Sequence, residues 1–226
     1  NATGEQLELT SDLTYTRSNP EEQWVLRVGR LFDGVNDSYQ ENVDVVIAGS
    51  RIQAIEPQRD RNLEVVDMAD STVIPGLFEM HGHMGDLSES QGRLWLSFGI
   101  TSVRDPGSNP YTAKQRQESW DSGNQIGPRT HITGYLADGN RVYYSIAEGL
   151  VSLDHVDRAL ERTRLLGLDL IKTYVRLPDD WQKVVVDAAH EMGIPTSSHE
   201  IFPAVSHGMD HVEHFGGTSR RGYQPK

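Results

Sequence analysis

At Pro75-Gly76 the sequence changes rhythm, and the second rhythm admits few folds. Downstream of it, short apolar runs alternate with segments of helical period. The runs are LFEMHGH from Leu77, GITSVRD over 99–105, PRTHITG over 128–134, LDLIKTYV over 168–175, IPTSSHE over 194–200 and DHVEHF over 210–215. Between them, SLDHVDRALERTRLLG (152–167) places Val156, Leu160 and Leu165 near one helical face and stops at Gly167. Pro178-Asp179-Asp180 opens a second helix, with Val184, Val185, Ala188 and Met192 as its buried stripe and Gly193 as its end. A short helix is expected after Pro203. Strand and helix in steady alternation predict parallel βα units, as in a doubly wound sheet or a (β/α)8 barrel. No strand is followed by Gly-x-Gly-x-x-Gly or a Walker-type loop, so the nucleotide-binding sheet has no support. The expected fold is α/β, a (β/α)8 TIM-type barrel with strands one to six present, whose strand ends converge on one mouth.

Upstream, residues 1–22 are polar and without sustained period, and read as an arm or linker. Residues 23–74 hold three β-type runs, WVLRVGRLFDG, VDVVIAGSRIQAIEP and VVDMADSTVIPG. They predict a small N-terminal β-sandwich, or a sheet of that kind, with turns at Gly34, Gly49-Ser50 and Asp67 to Ser71. The barrel units then occupy 75–226. Acidic residues outnumber basic ones 33 to 21, for a net charge of −12, and no basic block stands out, which argues against nucleic acid and anionic membrane as partners. No apolar run is long enough to cross a bilayer. The sequence begins at Asn1 rather than Met, and removal of an export signal would account for that. It contains no cysteine, which leaves imidazole and oxygen donors for any metal.

Histidines supply the donors. His81 and His83 stand two apart at the end of the first expected strand, and side chains two apart on a strand share a face. His199 closes the fifth strand and His214 the sixth, so four of the nine histidines lie where a barrel mouth would collect them. Neutral imidazole is the commonest ligand of zinc-like ions, and three or four converging histidines make an ordinary ligand set. Lys172 lies inside the apolar strand LIKTYV, where an ammonium is costly. Either it snorkels or its chemistry is altered. Other candidates have plainer readings. His190 in mid-helix and His155 near a helix start read as surface or packing residues. His211, three residues before His214, faces the opposite side of a strand. Asp105, beside Pro106-Gly107-Ser108, reads as a carboxylate bonded to local backbone. His131 is a pocket candidate, with an ordinary hydrogen-bonded role equally open. Tyr174 shares a face with Lys172, and Tyr174 and Arg176 are candidates to reach a substrate.

The run VVDMADSTVIPGLFEMHGHMGD, followed by GITSVRDPGS, IKTYV, SSHE and HVEHFGG, resembles the binuclear metal-dependent amidohydrolase superfamily. The resemblance is to its imidazolonepropionase-like and prolidase-like branch and extends over residues 24–217. It implies that His81 and His83 bind one divalent ion, that His199 and His214 hold a second, and that Lys172, carboxylated by carbon dioxide, bridges the two. Zinc is the expected metal. The implied activity is hydrolysis of an amide-like C–N bond, in a dipeptide or a cyclic amide, by a metal-bridging hydroxide. The residue chemistry agrees: a buried lysine sheds its proton readily, and a neutral amine is what carbon dioxide attacks. The carbamate can then span two cations about 3.5–4 Å apart, which acidify a bridging water and polarise the scissile carbonyl.

The family also uses an aspartate on the eighth strand, as metal ligand and proton shuttle, and here only GGTSRRGYQPK follows the sixth strand. Strands seven and eight are therefore expected from a complementing C-terminal segment or chain, with the break in a polar loop. That segment and a small-molecule substrate are the expected partners, with homo-oligomerisation left open. Two rival readings stand beside this one. A mononuclear deaminase would use the histidines without a carbamate, and Lys172 argues against it. A catalytically inactive scaffold or assembly subunit would keep the fold alone. The absent aspartate favours that reading and the retained ligand set opposes it.

Overall fold

The structure is a computed structural model, and it describes residues 22–84, 89–142 and 144–214. The expected arm (all but Glu22) and the expected terminal loop lie outside the described residues. Contacts divide the chain into two compact units between Pro75 and Gly76, at the change of rhythm.

The first unit is a four-stranded sheet in the order β3-β2-β1-β4, built from β1 (Gln23–Leu31), β2 (Gln40–Ala48), β3 (Arg51–Pro57) and β4 (Glu64–Val73). β1/β2 and β2/β3 are antiparallel, and β1/β4 is parallel. Among the described residues this is one sheet, without the second layer of a sandwich. Gly49, at φ 56°, forms the expected turn between β2 and β3, and Gly34, at φ 76°, the one after β1. The turn expected at Asp67 to Ser71 is not a turn, because those residues lie inside β4. The polar stretch instead accommodates a bulge: the β1/β4 register shifts between Val28 and Arg30. A Cβ on Gly29 would stand 2.0 Å from the Ala69 carbonyl oxygen.

Val28, Leu31, Val43 and Val45 form the core of this sheet. Asp44 alternates to the other face and is buried. The Arg27 fork donates to both its oxygens, Nε to Oδ1 at 2.9 Å and Nη2 to Oδ2 at 3.1 Å, and Arg61 Nε and the Arg59 amide donate to Oδ2. These donors, Arg27 first, hold the Asp44 carboxyl down at about 2.

The second unit follows the expected alternation. Its elements are β5 (Leu77–Glu79), α1 (Glu89–Ser97), β6 (Ile100–Asp105), α2 (Pro110–Asp121), β7 (Arg129–Ile132), β8 (Leu136–Asp138), β9 (Ala147–Gly149) and α3 (Leu153–Leu166). There follow β10 (Ile171–Thr173), α4 (Asp179–Glu191), β11 (Thr196–Ser198), a 3-10 turn at Ala204–His207 and β12 (His211–Val212). Two sheets result, β5-β6-β7 and β12-β11-β10-β8-β9, with every pair parallel. The third expected strand is β7; Gly134, at φ 77°, where a Cβ would stand 2.9 Å from Leu168 Cδ1, separates it from β8, which was not expected. Asp169 spans the break: its amide donates to the Ile132 carbonyl (2.9 Å), and its Oδ2 accepts from the Ile132 amide (2.8 Å). All six expected strands are present. β9 joins the edge of β8 and was not expected either.

Helix caps are as read, but the buried faces shift. Ser152 caps α3 and Gly167 ends it in the left-handed region. Val156 and Thr163 are buried on it, while Leu165 is 69% exposed. Nine residues at 100° each put Leu165 opposite Val156, whereas Leu160 and Thr163 follow it at i+4 and i+7. On α4 the buried set is Gln182, Val185, Val186 and Ala189, rotated from the expected stripe, and Val184 is 36% exposed. A buried glutamine causes the shift. Gln182 Nε2 donates to Glu200 Oε2 at 2.7 Å, so its amide belongs to the interior.

Asp44 gives a pH test. Its folded pKa lies below the unfolded value near 4, so its stabilisation is full above that value and is lost as pH falls from about 4 through about 2. Asp44→Asn is expected to cost on the order of 2 kcal/mol at pH 7 in denaturant unfolding. The difference from wild type should shrink as the pH approaches 2.

Candidate metal centre

β5 ends at Glu79, so His81-Gly82-His83 lies in the loop beyond the strand rather than on it. The loop is held against β6. The Gly82 amide donates to the Arg104 carbonyl (3.1 Å), Glu79 Oε1 accepts from the His81 amide (2.7 Å), and Arg104 Nε donates to the Met80 carbonyl (2.6 Å). Glycine is required between the histidines, because a Cβ on Gly82 would stand 2.8 Å from Val103 Cγ1.

His81, His199 and His214 converge, each offering a nitrogen within 4.8 Å of the others. Nε2 of His199 and Nε2 of His214 are 3.0 Å apart. A tetrahedral ion bound at about 2.0–2.1 Å would hold two such nitrogens about 3.3 Å apart, so the pair is close to ligand spacing. His81 lies with its ring centroid 4.3 Å from that of His214 and parallel to His199 at 6.5 Å. His214 adopts φ 64°, a left-handed conformation that non-glycine residues seldom take and that turns its ring toward His199. His83 stands just outside this group. Its ring is 4.9 Å from His81, edge-on, and its Nδ1 donates to the Gly107 carbonyl at 3.1 Å. Three of the four expected histidines therefore share one point and the fourth stands beside it.

Beneath them lies Lys172, the central residue of β10, with no exposed surface. Its Nζ has no hydrogen-bond partner, and the nearest carboxylate oxygen, Glu213 Oε1, is 3.9 Å away and likewise unpartnered. Burial pushes the lysine down to about 8 against the opposing pull of Glu213. Burial and then the charge of Lys172 push His199 down to about 3, and burial lowers His81. Burial thus works against the charged form of all three groups, and the neutral forms are the ones that bind metals or attack carbon dioxide. An orphaned buried amine next to three convergent imidazoles fits the donor set of a carbamate-bridged metal pair.

Glu213 and Arg104 are the site residues that the sequence reading missed. Glu213 is buried, and its Oε2 accepts from Arg104 Nη2 (2.6 Å) and His81 Nδ1 (2.7 Å). Burial acts to raise its carboxyl, but Lys172, Arg104 and His81 together hold it at about 2. Arg104 stands in ITSVRD, a half-polar strand where its charge is less conspicuous than that of Lys172.

The remaining candidates separate. Tyr174 is buried with its ring 4.6 Å from His199 and 5.9 Å from Tyr144, at the edge of the histidine group. Arg176 is exposed; its amide donates to Asp138 Oδ1 and its guanidinium to the Arg141 carbonyl. With Arg141, Asn140 and Trp181 it lines an open hollow of about 610 Å³. His131 lines a different cavity, of about 260 Å³, with Phe78, Met80, Arg104 and His211. That cavity is also bounded by Leu170 and Pro195, which precede β10 and β11, whereas Tyr174 and His199 follow them. His131 thus lies outside the convergent group, in a cavity that reaches from Met80 and Arg104, beside the His81 loop, to Leu170 and Pro195. His211 lies outside the group as expected, but for another reason: alternation does not reach His214, whose backbone leaves the strand. His190 binds Asp210, and His155 binds Glu148, as structural contacts. Asp105 is structural too. It is buried, paired with Arg116 Nη2 at 2.7 Å, and accepts from the Gly107 amide.

Comparison with solved structures finds chains of similar fold. A Xaa-Pro dipeptidase with bound methionine matches 85% of the chain over 61% of its own, at 22% identity and a TM-score of 0.71. A putative prolidase from Bifidobacterium longum matches 87% of the chain over 55% of its own, at 20% identity and a TM-score of 0.75. A. niger ochratoxinase matches 87% over 61%, at 17% identity and a TM-score of 0.68. At these identities the likeness is one of fold: the chain shares the α/β fold of prolidases and amidohydrolases. It spans 55–61% of the length of these three structures. No protein-family model and no curated protein matches the sequence.

If Asp105 serves the fold, removing its partner should act on stability. Arg116→Met is expected to cost about 3–5 kcal/mol in denaturant unfolding, by stranding a buried carboxylate. A loss under about 1 kcal/mol would remove Asp105 from that role.

Proposed function

We propose that this chain carries most of the active site of a metal-dependent amidohydrolase that cleaves an amide-like C–N bond, with a dipeptide as the favoured substrate class. The observation that carries the reading is Lys172, fully buried, without a hydrogen-bond partner, and adjoining three convergent imidazoles. An ammonium left in that state is costly, and conversion to an anionic carbamate between two cations removes the cost. In this reading His81 and His83 hold one ion, His199 and His214 the other, and carboxylated Lys172 bridges them. Two zinc ions so held would acidify a water and polarise the scissile carbonyl. Tyr174, packed against His199, forms a wall of the substrate pocket. Arg176 stands on the adjacent rim as a cation for a substrate carboxylate. The dipeptide preference leans on the fold shared with a Xaa-Pro dipeptidase and a putative prolidase.

The partner expected for the barrel belongs to the same proposal. β5 and β12 are each paired on one side only among the described strands. Between them lies the cavity lined by Phe78 (68% exposed) and Met80 (54% exposed). We propose that a segment carrying two further βα units covers these edges and brings the acidic group that moves the proton. Among the described residues no helix is long and apolar enough to cross a membrane.

One observation favours a narrower second reading. The convergent group holds three histidines without His83, which suits a single ion and a mononuclear deaminase. A metal count separates the two. The protein is expected to contain two zinc ions per chain by elemental analysis, and Lys172→Ala half of that or less. One ion in both proteins would favour the deaminase, and two in both would remove Lys172 from the centre.

A further inference from the structure

Arg104 and Glu213 join two sheets that no described backbone ladder joins. Arg104 lies on β6 and Glu213 directly follows β12, the edge strand of the other sheet. The Glu213 amide is anchored by donating to the Ser198 carbonyl at 2.8 Å. Its Oε2 accepts two hydrogen bonds at once, from Arg104 Nη2 at 2.6 Å and from His81 Nδ1 at 2.7 Å. Arg104 Nε meanwhile donates to the carbonyl of Met80, the residue before His81. One guanidinium therefore holds both the backbone that carries His81 and the carboxylate that its ring addresses.

An imidazole bonded at one nitrogen has its proton placed by that bond. A carboxylate only accepts, so the ring proton must sit on Nδ1, and Nε2 is left with its lone pair. From this geometry we infer that Glu213, clamped by Arg104, is a positioning residue that fixes the orientation and tautomer of His81 so that Nε2 faces the metal centre. The inference rests on His81 being a ligand, as in the function proposed above. Glu213 is enclosed by Arg104, His81, the Ser197 side chain and, at 3.9 Å, Lys172. It is buried to 2% exposure and therefore out of reach of solvent competition. Carboxylates placed in this way behind a metal-bound histidine raise the basicity of the ligand and are commonly worth about 10–100-fold in metal affinity.

Two measurements on the full-length protein test the inference. In the metal-free wild type, long-range proton–nitrogen NMR of the imidazoles, with His81 identified by its loss in His81→Asn, is expected to show the proton on Nδ1. A proton on Nε2 would overturn the inference whether or not the protein binds metal. In a zinc titration, Glu213→Gln is expected to bind about 10–100-fold more weakly than wild type at unchanged stoichiometry, with its His81 ring no longer held in one tautomer. Affinity within twofold of wild type would overturn the positioning role and leave the hydrolase reading intact. A wild type that binds no zinc while His81 keeps its proton on Nδ1 would do the reverse. Should Glu213→Gln fail to fold, the wild-type NMR measurement decides alone.

Discussion

The second unit is organised around an ammonium group in a place where water cannot reach it. Lys172 sits at the centre of a three-residue strand whose neighbours on both sides are buried, and its register partner on β11 is Ser197, an uncharged residue. Glu213, at 3.9 Å, is too distant for a hydrogen bond and is already committed to His81 and Arg104. A fold that keeps a lysine in this state gives up stability for it, unless the amine is converted to something that the surroundings can bind. The neighbouring imidazoles supply such surroundings only with cations between them. The lysine and the histidines thus make chemical sense together and little sense apart.

Short strands make this arrangement possible. Each ladder in the second unit stops within a few residues, so the groups that follow are set by loops under close restraint rather than by strand alternation. Gly82 lets the His81 loop lie against Val103, the left-handed backbone at His214 turns that ring inward, and Tyr174 is held by its amide on the Ala137 carbonyl. The ends of parallel strands are where such loops gather in this class of fold. The three histidines come from three of those ends.

Much of this was legible in the residues. Lys172 stood out because a charge interrupted an apolar run, and His199 and His214 because each closed a strand in the same alternation. Arg104 lay inside an expected strand, but that strand is half polar and its charge did not stand out. Glu213 was hidden between two histidines, where its own chemistry drew no notice. The helix faces failed where polar residues were buried: Gln182 turned the stripe of α4, and Thr163 took the place given to Leu165. The bulge opposite Gly29 read as a turn because Asp67 to Ser71 has turn composition, and composition does not distinguish a bulge from a reversal.

The central claim is chemical, that Lys172 carries a carbamate when the centre is assembled. It is tested most directly by carbon-13 NMR of the protein equilibrated with zinc and carbon-13 bicarbonate. A carbamate resonance that is present in the wild type and missing from Lys172→Ala is the predicted result. A zinc-loaded wild type without that resonance would contradict the account.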